Sequence, residues 1–331
     1  MTQPTTLELT MLEALNLAMA HEMRKDENVV ILGEDVGTNG GVFRATDGLQ
    51  DEFGIRRVMD TPLAESLIAG ISVGMSSQGL KPIAEIQFMG FIFAAMEHII
   101  CHAARLRNRT RGRLSCPMVL RAPYGGGIHA PEHHSESTEA LFAHIPGLRV
   151  VIPSSPARAY GLLLSAIRDP DPVIFLEPKR IYRASKQAII DNGEALPLDV
   201  CFTLREGSDI TLASWGAMIP EVLLAADKLY AKGIKAEVID IATIKPLDIE
   251  TILTSVKKTG RCVIIHEAAR TGGVGAEISA QISEQALVDL HAPITRVTGY
   301  DTVMPYYRNE HHYLPNSEDI FLAATDCYQY K

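Results

Sequence analysis

Four short stretches and one histidine pair carry side chains able to do acid–base or binding chemistry. Gly33-Glu34-Asp35-Val36-Gly37 follows the apolar run Val29-Val30-Ile31-Leu32. Acidic residues at the carboxyl end of a parallel strand stand where open α/β sheets bind ligands, although the same residues also read as a turn with helix-capping acids. Asp60-Thr61-Pro62-Leu63-Ala64-Glu65 opens an expected helix. A carboxylate in a first turn complements the helix dipole; buried instead, Glu65 would gain proton affinity and become an acid near neutral pH. Tyr124-Gly125-Gly126-Gly127-Ile128-His129 leads into Glu132-His133-His134-Ser135-Glu136. Its glycines allow close backbone approach to a ligand. Its histidines lack the HExxH spacing of a zinc site, which leaves a loop with one catalytic histidine or a structural loop. Thr271-Gly272-Gly273-Val274-Gly275-Ala276-Glu277 looks at first like a dinucleotide-binding turn, but Ile278 stands where the third glycine of GxGxxG belongs. A tight strand-to-helix packing turn is the better reading. His98 and His102 share one face of an expected helix at i, i+4 spacing and read as a packed or solvated face more readily than as metal ligands.

These stretches must be positioned by two successive α/β series. In the first, expected helices over Leu7 to Lys25, Leu63 to Gln78 (with Pro62 in the first turn), Phe91 to Arg111 and Arg158 to Ile167 alternate with apolar strands near 29–32, 82–88, 118–120, 150–152 and 173–176. Uninterrupted apolar strands alternating with helices predict a mostly parallel sheet covered on both faces. Asp191-Asn192-Gly193-Glu194 and Pro197 mark a linker between about Ser185 and Leu204. A second series follows, with strands near 210–214, 236–241, 262–266 and 294–297. The expected domains are residues 1–186 and 200–331.

Composition narrows the class. The 331 residues are 47% hydrophobic and 21% charged, with a formal net charge of −9. That is a foldable, acidic chain, poorly suited to nucleic acid or an anionic membrane as its main partner. No apolar run is long enough to span a bilayer, and the first residues carry no signal-peptide pattern. Five scattered cysteines without a CxxC pair argue against a disulfide framework and for a reducing cytoplasm.

Read together, the stretches resemble one family. Gly33-Glu34-Asp35-Val36 with Gly40-Gly41-Val42-Phe43-Arg44, then Asp60-Thr61-Pro62-Leu63-Ala64-Glu65, Glu85-Ile86-Gln87-Phe88, Gly125-Gly126-Gly127 with His134-Ser135, Pro146-Gly147-Leu148-Arg149-Val150-Val151 and Asp171-Pro172-Val173-Ile174-Phe175-Leu176-Glu177-Pro178 match in order and spacing. So do Lys245-Pro246-Leu247-Asp248 and His266-Glu267-Ala268. The chain resembles the β subunit of the decarboxylating first component of a 2-oxo acid dehydrogenase complex. The resemblance implies a transketolase-like architecture, with an N-terminal pyrimidine-binding α/β domain and a smaller α/β C-terminal domain. It also implies thiamine diphosphate shared with an α subunit in an α2β2 heterotetramer, and a lipoyl-bearing acyltransferase as the next partner. In such pairs the α subunit holds the diphosphate through magnesium on a Gly-Asp-Gly motif, and this chain contains no Gly-Asp-Gly.

By the same resemblance, Glu65 contacts the aminopyrimidine N1′ and favours the imino form that activates the cofactor. Glu34, Leu63, Gln87 and Phe91 line the pyrimidine pocket. His134 serves acid–base steps when the acyl group passes to a lipoyl arm. Met118, Ala166, Ile167, Asp169 and Asp171 match positions that hold a structural potassium ion, mostly through backbone carbonyls. The chain departs from the family's common Gln-x-His-Ser-Gln with Glu132-His133-His134-Ser135-Glu136, and it has Ala242 where many relatives have arginine. The Glu85-to-Phe91 stretch resembles bacterial pyruvate dehydrogenases, making pyruvate the expected substrate. A branched-chain 2-oxo acid is the alternative, because one aromatic position discriminates a methylene or two by only about 1–3 kcal/mol. From other classes, a nicotinamide-dependent oxidoreductase and a non-catalytic assembly subunit are the competing readings.

Overall fold

The computed structural model describes residues 6–330. The chain divides into two compact units. One takes the chain up to Tyr124 together with Leu141–Leu198; the other takes Gly125–Ala140 together with Asp199 onward.

The first described element of the first unit is strand β1 (Thr6–Leu9), where the apolar spacing from Leu7 suggests helix. Thr10 starts the helix Met11–Lys25 instead: its hydroxyl accepts the Glu13 N–H while the Glu13 carboxylate accepts the Thr10 N–H. This reciprocal pairing satisfies two amide groups that a helix start leaves open. β1 pairs antiparallel with β8 (Gln187–Ile190), Leu7 opposite Ile189, so part of the expected linker is a strand. The central sheet of this unit is built from parallel strands: β2 (Val29–Gly33), β3 (Val58–Asp60), β4 (Lys81–Glu85), β5 (Val119–Tyr124), β6 (Arg149–Val151) and β7 (Val173–Pro178). Their order is β6-β7-β5-β4-β2-β3. β2, β5 and β7 are buried at every position, as expected of strands covered on both faces. The helices Met11–Lys25 and Pro156–Arg168 pack against each other.

Two helices of this unit differ from their expected extent. The helix expected from Leu63 starts at Glu65 and runs to Ser77, leaving Pro62 outside its first turn. The long helix expected over Phe91 to Arg111 is broken into a 3-10 turn Met89–Ala95, a π turn His98–His102, a 3-10 turn Ala103–Arg105 and a short α-helix Leu106–Arg109. The Met89–Ala95 and His98–Arg109 segments meet at 59°. Among the described residues no single helix is long and apolar enough to cross a membrane.

The second unit holds a five-stranded sheet. Its strands are β9 (Phe202–Arg205), β10 (Ile210–Ser214), β11 (Ala236–Asp240), β13 (Cys262–Ala269) and β14 (Thr295–Gly299), with a short β12 (Thr243–Lys245) after β11. The order is β14-β13-β10-β11-β9, parallel except for β9 at one edge. The helices Ile219–Ala231 and Ser317–Gln329 cover one face through Val222, Leu229, Ile320 and Ala324. All five cysteines are free thiols.

Candidate active site

One register row crosses the first sheet near the carboxyl ends of its strands. Asp60 lies beside Gly33, Gly33 beside Glu85, Glu85 beside Arg121, and Arg121 beside Phe175. Two of the expected pocket residues follow closely after this row, at the edge where parallel sheets bind ligands. Glu34 is the residue after β2, and Gln87 stands two positions after β4. The loop after β2 is tied to β3 by the Gly37 N–H donating to Asp60 Oδ1 at 2.6 Å, and the Thr61 N–H donates to the Gly33 carbonyl at 2.9 Å. Asp35, Gly40 and Gly41 take left-handed backbone angles here. At Gly41 the reason is contact: a β-carbon would stand 2.8 Å from Glu85 Oε1.

These ties bring Glu34 and Glu65 close enough to repel. Burial pushes the Glu34 carboxyl above its ordinary pKa, and the charges of Asp35 and Glu65 push it further. Both residues are half-buried. An aromatic row links the loop after β2 to the segment after β4. The ring of Phe43 meets that of Phe88 edge-on at 5.4 Å, and Phe88 meets Phe91 at 6.0 Å and 90°. Phe91 sits in the Met89–Ala95 turn, where its N–H donates to the Phe88 carbonyl at 3.0 Å. Leu63 is 73% exposed. The raised Glu34 carboxyl, the Glu65 carboxyl near it and aromatic faces at the same sheet edge suit a flat, nitrogen-rich heterocycle, which offers ring nitrogens to carboxyl groups and a π-face to the rings.

Under this edge lies a buried ionic cluster that the residue patterns left unread. The Arg121 guanidinium donates to Glu85 Oε2 at 2.9 Å and grips Glu177 with two bonds of 2.6 and 3.1 Å. The Tyr182 hydroxyl donates to Glu177 at 2.6 Å. Burial pushes the Glu85 carboxyl up, against the pull of Arg121. Its sequence signal was present: Arg121 and Glu177 are charged residues inside otherwise apolar strands, a placement that requires partners.

His134 belongs to the second unit. It ends a 3-10 turn, Glu132–His134, and its N–H donates to the Pro131 carbonyl at 2.9 Å. It is half-buried, whereas His133 is exposed. The rings of the two histidines lie 6.4 Å apart and nearly perpendicular. Two buried carboxylates, Glu267 and Glu310, accept hydrogen bonds from this loop; neither was among the expected site residues.

The segments expected to hold potassium are neighbours within the first unit. Ala166 and Ile167 end the helix Pro156–Arg168, Asp169 caps it, and the Met118 carbonyl accepts the Val173 N–H at 3.0 Å. Both acids are engaged by arginines, Asp169 by Arg149 at 2.9 Å and Asp171 by Arg107 at 2.6 Å. Any cation there would rest on backbone carbonyls at a helix C-terminus, where the dipole favours it. His98 and His102 lie 5.6 Å apart on the π turn, and the Arg109 guanidinium approaches His102 Nδ1 at 3.3 Å. Among the described residues no three or more histidine, cysteine, aspartate or glutamate side chains cluster as a metal site. The glycine turn before Val274–Ala286 is a packing turn: β-carbons on Gly273 and Gly275 would come within 2.9 and 2.7 Å of the His266 ring.

Comparison with known families gives the class. The transketolase pyrimidine-binding domain matches residues 8–185, and the transketolase C-terminal domain matches residues 201–320. In structure the chain is similar to a split-gene transketolase described as an inactive β4 tetramer, with a TM-score of 0.80 at 23% identity, covering 98% of this chain and 99% of that one. The chain therefore has the two-domain transketolase-type fold. In sequence it is 52% identical to the pyruvate dehydrogenase E1 component subunit beta of Acholeplasma laidlawii, over 94% of this chain and 95% of that protein. The subunit of the same name from Bacillus subtilis strain 168 is 47% identical, over 96% and 98%. The chain belongs to the family of pyruvate dehydrogenase E1 β subunits.

Proposed function

We infer that this chain is the β subunit of a pyruvate dehydrogenase that, with an α subunit, decarboxylates pyruvate and passes the acetyl group to a lipoyl arm. The observation that carries the reading is the pairing of Glu34 and Glu65 at the carboxyl edge of a sheet of this family, the same edge that carries the Phe43–Phe88–Phe91 row. Thiamine diphosphate, when bound, supplies the carbon nucleophile and electron sink that decarboxylation needs. Glu65 would hold a proton toward the pyrimidine N1′, and Glu34 would keep that edge acidic. Phe91 and Gln87 would orient the ring and exclude water. An imidazole titrates near neutral pH, which suits His134 to taking and returning a proton during acyl transfer. The relatives named above are pyruvate enzymes, which favours pyruvate over branched-chain acids. The failed glycine spacing and the packing role of Gly273 and Gly275 leave no support for a nicotinamide site there.

The chain holds only part of such a site. With no Gly-Asp-Gly in its sequence, magnesium and the diphosphate would be held by the α subunit in an α2β2 assembly. A cofactor and partner would then cover the exposed Leu63. Met118, Ala166, Ile167, Asp169 and Asp171 would hold potassium, and a lipoyl-bearing acyltransferase would take the product. The free cysteines fit a reducing, cytoplasmic setting.

Co-expression with an α subunit tests the reading. The complex should decarboxylate pyruvate faster than branched 2-oxo acids, and Glu65→Gln should lower that rate by about 100-fold or more, the scale of lost acid–base catalysis. Inactivity of the natural complex toward all 2-oxo acids, or near-normal rates in the variant, would sink it.

A further inference from the structure

The loop that carries His134 begins with a run of backbone amides pointed at two of the chain's own carboxylates. Glu310 Oε1 accepts the Gly127 N–H at 2.6 Å, and Oε2 accepts the His129 N–H at 2.9 Å. Glu267 Oε1 accepts both the Gly126 N–H at 3.1 Å and the Ser137 hydroxyl at 2.9 Å. Both glutamates are almost fully buried, at 3% and 2% exposure. The backbone is shaped for this contact. Gly125, Gly127 and His129 have φ of +80°, +90° and +60°, so alternate residues are left-handed and successive N–H groups turn toward one side, the geometry of an anion-binding nest. A β-carbon on Gly125 would collide with the Glu267 carboxylate. The far end of the loop closes on the same place, because the Gly125 N–H donates to the Glu136 carbonyl at 2.9 Å.

Close packing does not hold the far part of the loop, around His134, on every side. A cavity of about 370 Å³ opens beside Glu132, Ser135, Glu136 and Ser137, bounded by Asp301 and Tyr313. Four hydrogen bonds of 2.6 to 3.1 Å to two carboxylates hold the nest, including the costly left-handed angle at His129.

We propose that Glu267 and Glu310 are positioning residues for His134, clamping its loop from both ends through the nest. The proposal rests on the reading of His134 as the acyl-transfer histidine. The two acids differ in a way that a general stabilising role would not produce. Glu310 uses both oxygens, so an amide in its place loses one bond and turns its own N–H toward a backbone N–H. Glu267 uses one oxygen for both bonds, while Oε2 makes none, so Glu267→Gln can keep both bonds and Glu267→Ala keeps neither.

The test uses the α2β2 complex with three readouts: acyl transfer to lipoyl, decarboxylation with an artificial electron acceptor, and hydrogen exchange at the amides of residues 126–129. Glu310→Gln and Glu267→Ala should slow acyl transfer by about tenfold or more, as small misplacements of a reacting group do. Both should speed exchange at those amides and leave decarboxylation within about twofold. Glu267→Gln should restore acyl transfer to within about threefold of the natural complex. In the His134→Ala background neither acid should matter further, since residues acting as a unit are not additive. Unchanged exchange in Glu310→Gln and Glu267→Ala would overturn the proposal. So would an equal loss in decarboxylation and acyl transfer, or a full additional loss in the His134→Ala background. A natural complex inactive toward every 2-oxo acid would strike the functional reading instead, and the exchange data would still judge the clamp.

Discussion

Arg121 sits between two carboxylates at 1% exposure. A buried pair or triad gives little net stability against an apolar replacement, but removing one member leaves a charge without compensation. Arg121→Met should therefore cost about 3–5 kcal/mol of stability in urea unfolding. Replacing Glu85 and Glu177 by glutamine in the same chain should recover much of that loss. A small effect of the single change would mean that the cluster is already neutralised by proton uptake. At the histidine loop the structure separates two neighbours that the residue pattern left entangled. His133 is exposed and His134 half-buried. His134→Ala in the complex should lose about 100-fold or more in acyl transfer while binding cofactor normally, and His133→Ala should lose little. Single-turnover acylation of a lipoyl domain reads this directly, and the reverse pattern would move the role to His133.

Glycines with different surroundings make a matched pair at the scale of the element. Gly275 opens the helix Val274–Ala286, and a β-carbon there would press on the His266 ring. Gly275→Ala should cost roughly 1–3 kcal/mol, the scale of overpacking. Gly74 lies exposed in the helix Glu65–Ser77 with open space around a β-carbon. Gly74→Ala should gain about 0.4–1 kcal/mol, because alanine restricts the unfolded chain and suits a helix. Thermal unfolding of the two variants should move in opposite directions. Elements are legible where one pattern dominates: β2, β7 and the first residues of β5 stand out as apolar runs, and the helical stripe from Leu7 to Lys25 contains the helix Met11–Lys25. The Phe91–Arg111 stretch departs from its local pattern because its residues suit a helix and the break comes from packing. Its turns lie against the helix Glu65–Ser77, where Gly70 leaves room for the His98 ring at 3.2 Å from a built β-carbon. Leu7 and Leu9 depart from the helical pattern for a similar reason: their partner strand lies about 180 residues further on.

For the molecule as a whole, the α/β order was readable because each strand and helix is a local pattern, but the membership of the Gly125–Ala140 loop was not. Its anchors, Glu267 and Glu310, lie 141 and 183 residues away from the amides they hold, and no local pattern signals such a distance. The same holds for pH response, which the net charge of −9 does not describe. His266 is fully buried and stacked on Trp215, ring centroids 5.2 Å apart. Burial, helped by the positive charges of Arg296 and Arg270, pushes its pKa down to about 4. An unfolded chain would bind that proton near pH 6.5. Between those values the unfolded state holds more protons than the folded one, so stability falls as pH drops from about 6.5 towards 4 and is fully present above 6.5. The depressed pKa corresponds to about 3 kcal/mol across that window. His266→Gln removes the titration, whatever it does to stability at neutral pH. Urea unfolding at pH 7.5, 6.0 and 4.5 should show a smaller loss between the first and last pH in the variant than in the natural chain, by about 2–3 kcal/mol. Parallel losses in the two would mean that His266 takes up its proton as readily folded as unfolded, and that the acid sensitivity of this subunit lies in its carboxylates.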